Sequence, residues 1–438
     1  MERWCGYCGN MHNTGKEAAT LKRMYKYRLY PNATTEKKLY FTLNRCRELY
    51  NAALSERKDS YQLHQRTQLQ INAETGQVVA ATMTAKQRVK AVGYYGQKRA
   101  LVEIKAVREE YQDIAAHVLQ DVILRVERAF QRFFDGAGFP RFKGRTRYDS
   151  FSYPDGAGWK LTVEEQGNSL KGTLSLTKIG DIKVKLHRKI EGKIKMITLK
   201  REVDQWFVVC SCEVEQAAPL PVSDEDVGID LGVTHLATLS NGEMIEHPGY
   251  YRRAKKMLEK RQQALSRKKK GSHRRERAKE RIGKAHRKVA NQRRDFHHKQ
   301  SRKLVNRYQL IVFEDLQIAN LVKRPKVKQD EETGQYLPNG AAAKSGLTKS
   351  ILDAGWGMFV AMCSCKAAGA GRTLLKVNPH YTSQICSACG KSRKKTLEER
   401  WHSCECGAEM DRDVNAAKNI LVLGQQHLGG KRPTSATA

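Results

Sequence analysis

The sequence predicts an α+β multidomain fold, in which a strand-rich first half with inserted helices precedes an α/β unit carrying a late cysteine-rich insert. Apolar residues recur at spacings of three and four between 108 and 134, which is typical of an amphipathic helix. The spacing changes to two between about 170 and 215, as in half-buried strands. After a segment rich in proline and acids at 219–226, short apolar strands alternate with helical stretches. A chain of 438 residues has room for two to four such units.

The first half is expected to contain a small antiparallel barrel or sheet. Residues 24–31 alternate in the manner of a strand and end at a proline, and an amphipathic helical pattern follows. Ile182, Val184 and Leu186 alternate with polar residues. The N-terminal segment 1–22 is expected to be an unstructured extension.

The second half is expected to begin near 227 with two short strands in VGIDLGVTHLATLSNG. A buried-type strand at 310–316, a helix at about 348–368, a strand at 373–379 and a final helix from Val414 follow. These elements predict an α/β core formed by 227–385 and 407–424, interrupted by a cysteine insert at 386–406 and followed by a disordered tail at 425–438.

The charge of the chain points to a polyanionic partner. It has 80 Lys and Arg against 46 Asp and Glu, a net charge of +34, and residues 252–303 alone hold 23 basic and 4 acidic side chains. Such a surplus repels itself without a partner of opposite charge, and nucleic acid is the first candidate. A membrane is disfavoured because no apolar run approaches the ~20 residues of a spanning helix. With no secretory signal at the N-terminus either, a cytoplasmic location is expected.

Three acidic residues stand at strand ends or beside a helix start: Asp230 in VGIDLG, Glu314 in IVFEDL and Asp413 in DRDVNAAKNI. A carboxylate at the end of a buried strand is costly unless a cation meets it. Three converging carboxylates form the oxygen-rich site that Mg²⁺ prefers. The matching chemistry is hydrolysis of a phosphodiester by two metal ions.

The cysteine insert has the spacing of a structural zinc site. Cys386 and Cys389 form one pair, and Cys404 and Cys406 form a tighter second pair fourteen residues later. Four thiolates in two close pairs can enclose one Zn²⁺ tetrahedrally, which leaves no position for substrate. The N-terminal pair Cys5 and Cys8 has no second pair beside it, so whether it binds metal stays open.

Taken together, GIDLG, FEDL, the cysteine insert and DRDVNAAKN resemble the RuvC-like nuclease arrangement of TnpB proteins and type V CRISPR effectors. The resemblance covers nearly the whole chain, including GFPRFKGR, DFHHKQS, DAGWG and PHYTSQICSACG. It implies an RNase H-like RuvC core with a zinc-finger insertion. It also implies that an oligonucleotide-binding-like (WED) β-barrel, formed by 23–39 and 139–222, precedes this core, with a helical recognition lobe inserted at 40–138. It also implies an RNA-guided DNA endonuclease of a transposon.

Carried onto matching positions, the resemblance implies that Asp230, Glu314 and Asp413 are catalytic and bind two Mg²⁺ ions. Asp411 is the nearest rival for the third place, but the family's third acid directly precedes an xNAA segment. Asp411 is then expected to cap the helix or to support the site from outside. In FPRFKGR, the candidates for contact with a nucleic-acid backbone are Arg141, Lys143 and Arg145.

The implied partners are a guide (omega-type) RNA from the element's own end and a double-stranded DNA target beside a short motif. One protein monomer per RNA is expected, associated with the nucleoid when it is bound to DNA. Residues 323–347 are a candidate lid over the active site, and they contain an insertion at 330–340 that the family pattern does not predict.

Three other interpretations stay open. A miniature type V CRISPR effector of the same ancestry would be distinguished by a neighbouring repeat array. A nuclease-dead RNA-guided repressor is opposed by the intact acids. A transposase proper would need a nucleophilic tyrosine in a site containing histidines, or a strand-transferring acidic core, and no such pattern appears. His297 and His298 do not indicate an HNH module, because their surroundings are helical and basic.

Overall fold

The computed structural model describes residues 21–65, 68–71, 78–81, 92–166, 169–215, 218–396 and 399–429. The extension at 1–20, with Cys5 and Cys8, and the last residues from 430 lie outside this part of the chain. The chain divides into two compact units, and the first unit ends at Val214 while the second continues from Glu215. The predicted domain boundaries within each half stay predictions.

The first unit is built on a seven-stranded sheet with the order β4-β8-β9-β1-β7-β6-β5. The pairings of β4 with β8, β8 with β9, β1 with β7, β7 with β6 and β6 with β5 are antiparallel. The two-residue period is matched by burial, since β9 alternates between buried and half-buried residues and places Cys210 and Cys212 in the core. The sheet is confirmed, and its closure into a barrel stays a prediction. The strands are β1 (Leu21–Tyr30), β4 (Ser150–Tyr153), β5 (Trp159–Gln166), β6 (Ser169–Leu176), β7 (Gly180–Leu186), β8 (Lys193–Glu202) and β9 (Gln205–Val214).

Between β1 and β4 the chain forms helices and a small hairpin. The helices are α1 (Ala33–Gln65), α2 (Tyr94–Val107) and α3 (Ala116–Phe134), and the hairpin pairs β2 (Gln68–Ile71) with β3 (Val78–Ala81). The helical pattern at 108–134 was expected to be one helix, but α3 begins only at Ala116. Tyr111 lies in a 3₁₀ turn and Ile114 in the turn that follows it, and both side chains are buried. The apolar residues before Ala116 therefore face the core without an α-helical backbone.

The second unit contains a five-stranded sheet with the order β12-β11-β10-β13-β16. The three strands β10, β13 and β16 run parallel, and β11 and β12 continue the sheet in antiparallel fashion. The strands β10 and β13 are apolar along most of their length because both faces of the sheet are covered. The strands are β10 (Asp226–Asp230), β11 (His235–Leu239), β12 (Met244–Glu246), β13 (Leu310–Glu314), β14 (Lys328–Gln329), β15 (Tyr336–Leu337), β16 (Thr373–Val377), β17 (Trp401–Ser403) and β18 (Glu409–Asp411).

The described residues of the second unit form six helices: α4 (Tyr250–Ser266), α5 (His273–Arg307), α6 (Ile318–Leu321), α7 (Ala341–Ala354), α8 (Trp356–Gly369) and α9 (Arg412–His427). The basic stretch at 252–303 forms α4 and α5, as its pattern predicted. The tail was expected to be disordered from 425, but α9 continues to His427. The side chain of Gln425 donates a hydrogen bond to Asp226 (3.1 Å), which holds the last turn of α9 beside the start of β10.

The segment DAGWG breaks what was expected to be one helix at 348–368. Gly355 has a φ of +69° and separates α7 from α8. The carboxylate of Asp353 accepts the backbone N–H groups of Tyr251 and Arg252, so it caps α4 from a distant part of the chain. The indole N–H of Trp356 donates to the carbonyl of Gly232 (3.0 Å). The motif therefore joins three elements around the loop that follows β10.

Candidate active site

Asp230 and Glu314 lie at the same edge of the second sheet. Each is the last residue of its strand, and β10 and β13 are parallel neighbours in which Ile229 faces Phe313. The next residue of each strand therefore lies at the carboxyl end of the sheet, where ligands of open α/β sheets are bound. Asp315 is placed differently, since its side chain is half exposed and its carboxylate lies 3.6 Å from the ammonium group of Lys376.

Asp413 approaches these two acids from the first turn of α9. Asp411 begins the helix instead, because its Oδ1 accepts the N–H groups of Asp413 (2.8 Å) and Val414 (3.4 Å). This confirms the expected capping role of Asp411 and leaves the carboxylate of Asp413 outside the cap. The guanidinium Nε of Arg412 lies 3.5 Å from Asp413 Oδ1.

Burial and nearby negative charge both disfavour the ionised form of Asp230. Burial, together with the negative charges of Glu314 and Asp413, raises the pKa of Asp230 to about 8, against the effect of Arg412. Burial also raises the pKa of Glu314, against the effect of a hydrogen bond that Thr382 Oγ1 donates to Glu314 Oε1 (2.6 Å). A cation at this edge of the sheet would stabilise the ionised carboxylates. The donors are all oxygens, which fits Mg²⁺ better than a soft metal.

The four predicted zinc ligands lie together. Cys386 Sγ is 3.8 Å from Cys406 Sγ, Cys389 Sγ is 3.6 Å from Cys404 Sγ, and all four sulfurs lie within 4.8 Å of one another. In the described part of the chain, no other group of three or more His, Cys, Asp or Glu has its ligand atoms as close together. The three acids do not form such a group either. The tight second pair is accommodated because Cys404 and Cys406 lie in the turn between β17 and β18.

The thiol chemistry of this cluster fits a metal. Although burial acts in the opposite direction, backbone N–H groups of Cys389 and Ala388 help to lower the pKa of Cys386 to about 5. A thiolate is the form that binds metal. Four sulfurs this close together are compatible with a structural Zn²⁺ site.

Metal analysis of the purified protein is therefore expected to give about one Zn²⁺ per chain, since four thiolates satisfy one tetrahedral ion. Cys389→Ser should lower this content, whereas Cys363→Ser, a buried cysteine outside the cluster, should leave it unchanged. Equal zinc content in wild type and Cys389→Ser would contradict the assignment.

Two asparagines connect the cysteine cluster to α9. Asn415 is fully buried, accepts the N–H of Ser387 (2.9 Å) and donates to the carbonyl of Ile385 (2.7 Å). Asn419 donates to the carbonyls of Ile385 (2.7 Å) and Thr382 (2.8 Å). Thr382 in turn contacts Glu314, so a continuous set of hydrogen bonds runs from the cluster to the acids. Sequence reasoning missed these roles, although the i, i+4 spacing of the asparagines in NAAKN places both on one helix face.

The three residues of FPRFKGR that are predicted to contact nucleic acid differ in exposure and in their hydrogen bonds. Arg141 and Arg145 are exposed, whereas the backbone of Lys143 is fixed by two hydrogen bonds to the side chain of Asn51 (2.8 and 3.0 Å). The ring of Phe139 packs against Phe130, Phe133 and Tyr61, so this residue contributes to the packing of the first unit.

His297 lies in the core of the second unit and takes no part in the acidic site. It is 1% exposed and packs against the ring of Phe359. Burial, together with the positive charge of Arg293, lowers its pKa to about 4. The interpretation that this histidine is not part of an HNH module agrees with its position.

Acidification should therefore weaken the second unit. The pKa of histidine in the unfolded chain is about 6.5, so the unfolded state binds more protons between pH 6.5 and pH 4. The contribution of neutral His297 to the free energy of unfolding is complete above pH 6.5. It is lost as the pH falls towards 4, by about 3 kcal/mol in total. Denaturant titrations of the free energy of unfolding against pH should show a shallower dependence in His297→Leu. The exposed-site control His286→Gln should keep the wild-type slope, and an equal slope in all three proteins would contradict the prediction.

Fold and site together define an α+β multidomain protein with acids at neighbouring strand ends and a four-cysteine insert that is compatible with zinc. Comparison with known proteins agrees. The family model described as a probable transposase (OrfB_IS605) matches residues 209–325, a Cas12f1-like TNB domain model matches 356–420, and a helix-turn-helix model of the OrfB type matches 21–66.

Full-length relatives lead to the family. A protein of Escherichia coli K12 is 32% identical over 92% of this chain and 93% of its own length, and one of Streptomyces pristinaespiralis is 32% identical over 92% and 90%. Both carry the name "Putative RNA-guided DNA endonuclease", the first with the addition InsQ. The chain belongs to the TnpB (IS605 OrfB) family, as its motifs predicted.

Solved structures are globally less similar. The cryo-EM structure of a Cas12f1–sgRNA–target DNA complex matches with a TM-score of 0.47 at 14% identity, covering 92% of this chain and 98% of that one. The mini-RNA-guided endonuclease CRISPR-Cas_phi3 matches with a TM-score of 0.45 at 9% identity, covering 92% of both chains.

Within the described residues, no helix is long and apolar enough to cross a membrane.

Proposed function

We propose that this protein is an RNA-guided DNA endonuclease of a transposon, in which Asp230, Glu314 and Asp413 form the single active site. The observation that carries the proposal is the placement of Asp230 and Glu314 at the ends of two neighbouring parallel strands, with Asp413 in the first turn of the helix α9 that packs on them. Family membership supports it, since two full-length relatives carry names of that activity.

The three carboxylates would hold two Mg²⁺ ions, which when bound supply an activated water and stabilise the leaving oxygen of a phosphodiester. Asp230 and Glu314 would provide oxygen ligands from the rigid sheet, and Asp413 would provide one from α9. Thr382 would fix the orientation of Glu314 through its hydrogen bond. With a single site of this kind, the two strands of the target would be cut in turn.

The basic helices α4 and α5 are suited to gripping phosphates. The four acids of 252–303 each lie within 4.0 Å of a lysine one turn away on the same helix. With 23 basic residues in the stretch, internal pairing leaves a large positive surplus. Such a surface would bind an RNA–DNA heteroduplex by its backbone, without reading its sequence.

The remaining assignments follow the family pattern. The sheet of the first unit, as a WED-like barrel, and its helices, as a recognition lobe, would hold the guide (omega-type) RNA and read the motif beside the target. The hairpin of β14 and β15 lies in the candidate lid at 323–347, and Tyr336 and Val327 are largely exposed there. Apolar side chains held out in this way are available to close over bound nucleic acid. We propose one monomer per RNA, acting in the cytoplasm on the nucleoid.

A miniature type V CRISPR effector is the second candidate, since residues 356–420 match the Cas12f1-like domain model. Sequencing the RNA that co-purifies with the protein tests both. A transposon nuclease should carry RNA of defined length from the end of its own element, and an effector should carry RNA from a neighbouring repeat array. Random cellular RNA would overturn RNA guidance in either form.

A further inference from the structure

The first unit contains a basic cavity of about 380 Å³ beside α3. It is lined by five cationic side chains from α3 and from the segment leading into β4, and by a single acid; these are Arg125, Arg128, Arg132, Lys143, Arg147 and Asp149. Its volume falls in the range of pockets that bind small organic groups, about 300–1,000 Å³. The excess of positive charge favours an anionic occupant.

One of the five cations of this cavity has an ion pair among the described residues, and four have none. Arg125 is held by Asp121 (2.8 Å), by the carbonyl of Ser150 (2.7 Å) and by Ser152 Oγ (2.7 Å), so it forms a fixed base. Across the part of the chain that the structure describes, the other four cationic side chains have neither an ion pair nor a side-chain hydrogen bond. Three of the four, Arg128, Arg132 and Arg147, are exposed.

Tyr148 adds an independent observation. It lines the same cavity, is 5% exposed, and its buried hydroxyl has no hydrogen-bond partner among the described residues. Burial raises the pKa of this phenol, so the hydroxyl stays protonated and available as a donor. A buried polar group without a partner costs free energy, which an acceptor atom in the cavity would recover.

We propose that this cavity binds the sugar-phosphate backbone of a nucleic acid, with a phosphate held by Arg128, Arg132 and Lys143 and accepting a hydrogen bond from Tyr148. The proposal takes nucleic acid as the partner from the proposed function and assigns a place for it in the first unit. Arginine presents paired donors that match phosphate oxygens, and the cavity is large enough to hold the attached sugar as well. Of the three basic residues that the sequence marked, only Lys143 lines the cavity; Arg141 and Arg145 do not.

The test compares the full-length protein with Arg128→Gln/Arg132→Gln. Binding is measured by fluorescence anisotropy across a salt series, with a labelled single-stranded RNA and a DNA duplex as probes. Loss of two phosphate contacts should lower the slope of log affinity against log salt by about 1.8 for the duplex or about 1.4 for the single strand. Lys183→Gln/Lys185→Gln removes the same charge from two exposed positions of β7 and should change the slope less. Tyr148→Phe should weaken binding with the slope unchanged.

A change confined to the RNA probe assigns the cavity to RNA, and one confined to the duplex assigns it to the target DNA. Unchanged slopes with both probes, or an equal change in the control pair, would overturn the proposal. The assay requires neither a guide sequence nor cleavage, so its outcome is independent of whether the acids catalyse hydrolysis. Conversely, Arg128→Gln/Arg132→Gln could cleave guided DNA and bind nucleic acid with the wild-type salt slope. That result would exclude a role of the cavity in binding and would not contradict the proposed function.

Discussion

Asp230→Asn is expected to abolish Mg²⁺-dependent cleavage of guided DNA while RNA and target binding stay near wild type. The substitution keeps the shape of the side chain but removes the charge that a divalent cation needs at the end of β10. Loss of even an outer partner of a metal ligand costs about 10–100-fold in affinity or activity, so loss of a ligand should exceed 100-fold. Glu314→Ala and Asp413→Ala should have the same effect.

The measurement is a cleavage time course on a guide-matched duplex, with binding followed in parallel by gel shift. Asp315→Asn is the matched control, because it removes an equal charge from the next position after Glu314 but alters a half-exposed side chain beside Lys376. It should cleave at nearly the wild-type rate. Cleavage retained by Asp230→Asn would remove this residue from the site, and loss of DNA binding in the same variant would show that the substitution disturbs the fold.

The positions of Asp230 and Glu314 could be predicted because both depend on local patterns. Each acid ends a short apolar strand, and two such strands in an α/β protein tend to be parallel neighbours. Asp413 could be separated from Asp411 only by the motif that follows it, yet the structure supplies a physical reason. The carboxylate of Asp411 accepts the hydrogen bonds that cap α9, whereas the carboxylate of Asp413 takes no part in this cap.

Contacts between distant segments could not be predicted in this way. Nothing in DAGWG alone indicates that Asp353 caps a helix about 100 residues earlier, because the partner is two backbone N–H groups, which every sequence contains. The break at Gly355 likewise depends on neighbours from α5: a side chain there would lie 3.0 Å from His297 Cε1 and 3.1 Å from Arg293 Cδ. The basic cavity was missed because Lys143 and Arg128 lie on different elements.

The arrangement of the three acids also depends on how closely α9 packs on the sheet, and Gly228 allows the close approach. A Cβ at this position would lie 2.1 Å from the carbonyl oxygen of Ala417 and 2.6 Å from the amide nitrogen of Leu421. Both are backbone atoms of α9, so no rotation of a side chain can relieve the overlap. The helix itself would have to move, and it carries Asp413 in its first turn.

Gly228→Ala is therefore expected to destabilise the second unit by about 3 kcal/mol or more, the upper end for overpacking, and to abolish cleavage. In a unit of this size each kcal/mol lowers Tm by about 2–4 °C. Thermal unfolding of the full-length protein should thus show a fall of about 6 °C or more. Gly357→Ala is the matched control, since its Cβ would meet only the flexible Cδ1 of Ile318 at 3.4 Å. An unchanged Tm in Gly228→Ala would mean that α9 does not require this close approach, and the position of Asp413 would then need another explanation.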